Sequence, residues 1–193
     1  DDDDFEFIYT GHHVTRRCNA HTDKGQGFGN APIFYGNFSE GFHESKDHVG
    51  NPYWYQGLLF NDFVKTLDGK QQETALISGG QPRSERGDGP NKMRNGSWPG
   101  LPCSELSSDQ KEVMLGTIRK MLVMFREDDV NATMKTIEND VTIDDLYVSY
   151  YDGKFDIGND RVWDTWQIEG PEMVWYFRGV PHIHTYFHIK NKA

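Results

Sequence analysis

The sequence predicts an α+β fold: a mainly antiparallel sheet with a central group of helices packed on one face. Three observations carry that reading. The chain opens with an alternating run rich in aromatic and β-branched residues, its middle places apolar residues at helical spacing, and its last third returns to a period of two. A length of 193 residues fits one domain spanning 1–193 and can bury one sizeable core.

The elements follow in order. Residues 5–18 alternate as a half-buried strand does, and 31–35 read as a second, short strand. Residues 36–53 hold Gly, Asn, Ser and two His and read as loop. Leu58, Leu59, Phe63, Val64 and Leu67 then recur at helical spacing, which predicts a helix over 54–67. Asp68 is placed to cap a second helix running to about 77. Residues 79–100 collect Gly, Pro, Arg, Asn and Ser with almost no hydrophobic residue, so a long, mobile surface excursion is expected. Ser107 and Gln110 form a capping box ahead of Met114, Ile118, Met121 and Phe125, the stripe of a longer helix, and a short helix over 130–137 follows. Strands are expected at 146–151, 162–168, 173–177 and 182–189.

Composition narrows the partners. Lys and Arg number 20 against 30 Asp and Glu, a net charge of −10 that repels phosphate backbones and anionic lipid, so nucleic acid is not expected. No apolar run approaches the roughly 18 residues needed to span a bilayer. Asn37, Asn95 and Asn131 each begin an Asn-x-Ser/Thr sequon, which points to a secreted, extracellular chain carrying N-linked glycans. Cys18 and Cys103, the only two cysteines, are then expected to form one disulfide; the other reading is two separate thiols.

The histidines carry the sharpest chemical signal. Alternation on a closing strand puts His182, His184, Tyr186 and His188 on one face, with Ile183, Thr185, Phe187 and Ile189 on the other. His182, His184 and His188 thus project in line as candidate metal ligands, and two histidines at i and i+2 on a strand make a rigid two-point mount. His12 and His13, after Gly11, offer a third ligand from the opening strand. Neighbouring side chains point oppositely, so one of the two is expected to join. Imidazole ligands with few soft donors favour copper or zinc. The competing reading leaves these histidines as a solvated face. Asp156, Asp164 and Glu169 stand among aromatic residues as glycosidase acids do, and Trp163, Trp166, Trp175 and Tyr176 could stack a sugar, though such a stripe is more often core.

Four segments together resemble a known family: Gly11-His-His13, the run from Asp68 to Ser78, Glu169-Gly-Pro171 and His182-Ile-His184. In this order they are similar to the family called domain of unknown function 3500, over its C-terminal two thirds. The resemblance implies an exported protein with recurrent histidines at His12, His13, His182 and His184, and brings no established activity. Members carry a largely helical region ahead of the Gly-His-His strand, which is absent here. The Tyr186-Phe-His-Ile189 ending also departs from the polar close of the family, which leaves His188 outside the implied ligand set. Two functional classes therefore stand: a metal-binding domain acting as an oxidoreductase or hydrolase, and a structural subunit that forms a homo-oligomer or fibre through strand exchange or metal bridging.

Overall fold

A nine-stranded sheet runs through the computed structural model, which describes residues 5–19, 32–37, 44, 48–87 and 89–190. The strands are β1 (Glu6–Gly11), β2 (Val14–Asn19), β3 (Ile33–Gly36), β4 (Leu76–Ile77), β5 (Leu101–Pro102), β6 (Tyr147–Tyr151), β7 (Thr165–Glu169), β8 (Met173–Arg178) and β9 (His184–Ile189). Four helices, α1 (Trp54–Val64), α2 (Gly69–Ala75), α3 (Ser108–Met121) and α4 (Glu127–Thr136), complete the expected α+β architecture. The sheet order is β1-β2-β3-β9-β8-β7-β6-β4, with β5 also on β6. All pairings are antiparallel except β4 on β6. Strands from the two ends of the chain thus lie side by side, with β3 on β9.

The two faces of the sheet are chemically different. One carries Tyr35, Val148, Tyr150, Trp166, Ile168, Trp175, Phe177, Ile183 and Phe187, each 1% exposed or less, and packs on the helices. Trp166 lies between Phe60 of α1 and Phe177 of β8, stacked on each at 4.4 and 5.1 Å; such ring pairs add about 0.5–1.5 kcal/mol beyond their buried area. The tryptophan stripe is therefore core, not a sugar platform. Helices α2 and α3 are fixed at their starts by the cap expected at Asp68, which forms a full capping box with Gln71, and by the expected box of Ser107 with Gln110. The two glutamines also bond each other, Gln110 Nε2 to Gln71 Oε1 at 2.8 Å, so one polar knot holds two helix starts.

The opposite face is polar: Ser149, Tyr151, Gln167, Glu169, Tyr176, Arg178, His184 and Tyr186 project from it. Residues 79–100 lie against this face instead of standing off it. Arg83 and Arg94 clasp Glu169, which is 1% exposed, with N–O distances of 3.2 and 3.0 Å. Burial of a carboxylate is tolerated when it is paired in this way. The excursion is fastened because three of its charged residues, Arg83, Glu85 and Arg94, have partners on the sheet, a signal that its Gly and Pro content hides.

Several expectations are corrected. The strand expected over 5–18 is the β1–β2 hairpin, with Gly11 opposite Val14 and His12 and His13 in the turn. Alternation runs on through a two-residue turn, so pattern alone could not place the reversal. The second helix stops at Ala75, where Leu76 turns extended and joins β6. The expected Cys18–Cys103 disulfide is absent: Cys103 is a free, buried thiol, its Sγ 3.7 Å from Met114 Sδ. Cys18 lies in β2, whereas Cys103 directly follows β5, which pairs with β6. Strands β3, β9, β8 and β7 intervene, a separation on the order of 20 Å, while a disulfide joins Cα atoms only about 4–7 Å apart. Among the described residues no helix is long and apolar enough to cross a membrane.

Candidate metal centre

His13, His182 and His184 meet at the polar face, where the hairpin turn comes over the junction of β3 and β9. Each offers one ring nitrogen, and the three nitrogens lie within 4.8 Å of one another. Nε2 of His182 is 2.9 Å from Nε2 of His184 and 3.2 Å from Nε2 of His13. Imidazole nitrogens bound tetrahedrally at about 2.0–2.1 Å from zinc stand roughly 3.3 Å apart, so these spacings match a coordination sphere.

Gly36 explains how the two ends of the chain come so close. Its N–H donates to the His13 carbonyl at 3.0 Å, and the next N–H, of Asn37, donates to the Ile183 carbonyl at 3.2 Å. A Cβ on Gly36 would sit 2.2 Å from that Ile183 oxygen. Only glycine lets β3 seat between the two histidine-bearing segments. The ring of Phe34 then meets His184 edge-on at 5.1 Å and limits its rotation.

Glu85 orients the site from behind. Its Oε2 lies 2.6 Å from His184 Nδ1, and its other contacts are the Arg178 guanidinium and the Tyr176 hydroxyl, the latter at 3.2 Å. Arg178 is held in turn by the Val180 carbonyl at 2.7 Å. Burial pushes the Glu85 carboxyl up, but the His184 bond and the Arg178 charge outweigh it and hold the group below its usual range. Glu85 is therefore an acceptor. His184 Nδ1 is then the donor, and in the neutral ring this tautomer turns the Nε2 lone pair toward His182. A carboxylate behind a ligating imidazole is the arrangement that fixes tautomer and ring direction in metal sites.

The other two histidines are biased toward the neutral form. Burial, then the neighbouring His184, Arg178 and His13 charges, lower His182 to about 4. Burial and the His12, His184 and Arg178 charges lower His13. Neutral imidazole is the form that binds metal.

The remaining predicted residues lie elsewhere. His12 is exposed, and its ring touches His13 at 4.4 Å without entering the group of three. His188 shares the face of His184 but pairs with Val174 four residues further along β9, 5% exposed and outside the group. Asn95 and Asn131 are exposed; Asn37 is half-buried, and its Nδ2 donates to the Gly50 carbonyl. His21 and His43 lie outside the described residues, and His48 accepts the Gly50 N–H at 3.1 Å. Glu85, Arg178 and Gly36 escaped the sequence reading. Arg178 left one trace, a lone charge ending an otherwise apolar strand.

The fold and site define an α+β protein with a carboxylate-braced histidine triad that could hold a metal ion. The chain belongs to the family described as Protein of unknown function (DUF3500), whose model matches residues 1–192 and so covers the whole chain but its last residue. The likeness is thus not limited in this chain to the segments that first suggested it. No curated protein and no solved structure matches it.

Proposed function

We propose that this protein binds a transition-metal ion of the copper or zinc class through Nε2 of His13, His182 and His184, and that it acts as a metal-dependent oxidoreductase or hydrolase outside the cell. The observation that carries the reading is the convergence of three imidazoles on one point at ligand spacing. Glu85 supplies the second support, since nothing about a solvated histidine face requires a buried carboxylate behind it. Three protein ligands leave a tetrahedral ion one open position, the pattern of catalytic as opposed to structural sites. A depression bounded by Thr10, Gly11, Thr15, Phe34 and Tyr186 adjoins Phe34 and offers room for a small substrate. A bound ion would there supply Lewis acidity or redox chemistry, while Glu85 and Arg178 keep His184 aimed. Extracellular location and glycans at Asn95 and Asn131 rest on the sequons.

Elemental analysis of gently purified protein tests this. About one equivalent of metal is expected in the wild type and a sharp loss in His184→Ala. Less than about a tenth of an equivalent in the wild type, with no uptake of added zinc or copper, would sink the proposal.

A second reading, a subunit of an extracellular assembly, is favoured by one observation. Edge strand β1 exposes Phe7, Ile8 and Tyr9 at 60, 45 and 58%, beside Phe5 at 53%, and pairs on one side only among the described residues. Exposed apolar edge strands invite pairing with another chain.

A further inference from the structure

A second group of charged side chains lies away from the histidines, in the turns that lead into β7. We propose that Glu44, Asp156, Asp160 and Asp164 form a binding site for calcium, distinct from the transition-metal centre.

Asp164 is the centre of the argument. It is fully buried, and while its Oδ2 accepts the Ile157 N–H at 2.5 Å, its Oδ1 has no partner. Asp156, next to that donor, is 5% exposed, and its Oδ1 is likewise without a partner. Glu44 adds a third buried orphan oxygen, Oε1. Asp160 stands at the exposed rim, with Oδ1 accepting the Val162 N–H at 2.9 Å. The hydrogen bond through Ile157 and the backbone bonds from Asp160 and Arg161 to the Asp156 carboxylate tie the three aspartates together.

What is missing is positive charge. Glu169, the other well-buried acid, and the half-buried Glu85 each have arginine partners. Among the described residues nothing comparable reaches Glu44, Asp156 or Asp164: the groups acting on them are burial, backbone N–H groups and neighbouring acids. Burial and then the neighbouring acids push the Asp164 carboxyl up to about 8. A buried carboxylate must be paired, protonated or bound to a metal, and several sharing one place with no counter-charge match the donor set of a cation site. Among the described residues only the histidines already lie within 4.8 Å of one another; the carboxylates stand wider, as mutually repelling groups do.

The chemistry selects the ion. All donors are oxygen, which excludes the soft and borderline metals suited to the histidines. They come from irregular turns at residues 156–164 and from Glu44 far away in sequence, a flexible, uneven cage that fits the variable geometry of calcium better than the strict octahedron of magnesium.

The experiment uses the full chain, stripped with a chelator and titrated with calcium chloride by calorimetry and by thermal melting. The expected result is one bound ion per chain and a melting temperature that rises with calcium concentration. Asp164→Asn, which keeps the shape and removes the charge, should abolish both responses, and His184→Ala should retain both. Should Asp164→Asn fail to fold, the exposed Asp160→Asn is expected to weaken binding at least about tenfold. The proposal is overturned if the stripped wild type shows neither heat nor a shift up to about 10 mM calcium. It is equally overturned if the foldable variant responds as the wild type does.

Discussion

Glu85 is the residue on which the histidine site turns, because it converts a pair of strand histidines into one with a chosen tautomer. Replacing it by Gln removes the charge that binds Arg178 and the strong acceptor that holds His184 Nδ1–H. Glu85→Gln is expected to weaken metal affinity about 10–100-fold, with an unchanged far-ultraviolet circular dichroism spectrum. An equal affinity would show that His184 is oriented by packing on Phe34 alone. Protons compete at the same atoms. His182 falls from the usual 6.5 to about 4 in the folded chain, so the unfolded chain binds its proton first as pH drops. The contribution of this group to stability is complete above pH 6.5 and is lost as pH falls toward 4. Denaturant titrations of metal-free protein across that window should show the loss, and His182→Asn should reduce it. The pairing of His182 with His184 was anticipated from strand alternation, although β9 begins only at His184 and His182 stands in the bend before it. The choice of His13 over His12 was not, since the two sit in a turn where alternation does not apply, and Glu85 was hidden because its partners lie 91–99 positions away.

Among the elements, β3 is short but of large consequence. It has four residues, yet it joins the opening hairpin to the closing strand, and Gly36 stands at the contact. Gly36→Ala places a methyl group against the Ile183 carbonyl and must push β3 away from β9. A destabilisation of about 1–3 kcal/mol and loss of metal binding are expected together, measured by chemical denaturation and zinc titration. Edge strand β1 makes a separate prediction. If its apolar residues mediate assembly, Phe7→Glu should shift native protein from large species to monomer in size-exclusion chromatography; a wild type that is already a uniform monomer removes the second functional reading. The helices and inner strands could be read from the sequence because each shows its own period, and the capping boxes marked two starts to the residue. Strand order could not be read so, because pairing such as β3 with β9 depends on contacts some 150 positions apart.

The whole molecule is one sheet with an oily side and a salted side, and its acidic excess is not spread evenly. Without calcium, Asp164 opposes folding as pH rises: its carboxyl ionises near 3.8 in the unfolded chain but only near 8 in the folded one. Stability due to this group is greatest below pH 3.8 and declines progressively toward pH 8, the reverse of His182. Chelated wild type compared with Asp164→Asn between pH 5 and pH 8 should show the decline in the first and not in the second. The α+β class and the core were within reach of the sequence because aromatic and β-branched patterning is summed over many residues. The covering of the polar face by residues 79–100 was not, because it depends on three ion-paired side chains in a stretch whose composition signals a surface loop.

The histidine site has a consequence for when it comes into being. His13 is made 169 positions before His182, and the two groups touch across that separation. Glu85 waits in between. A chain that stops short of His182 lacks two of the three ligands, so an ion would have no complete site to enter before that segment is made. Metal uptake thus reports that the sheet has closed from both ends, and an ion that dissociates slowly would act as a seal on a chain already folded.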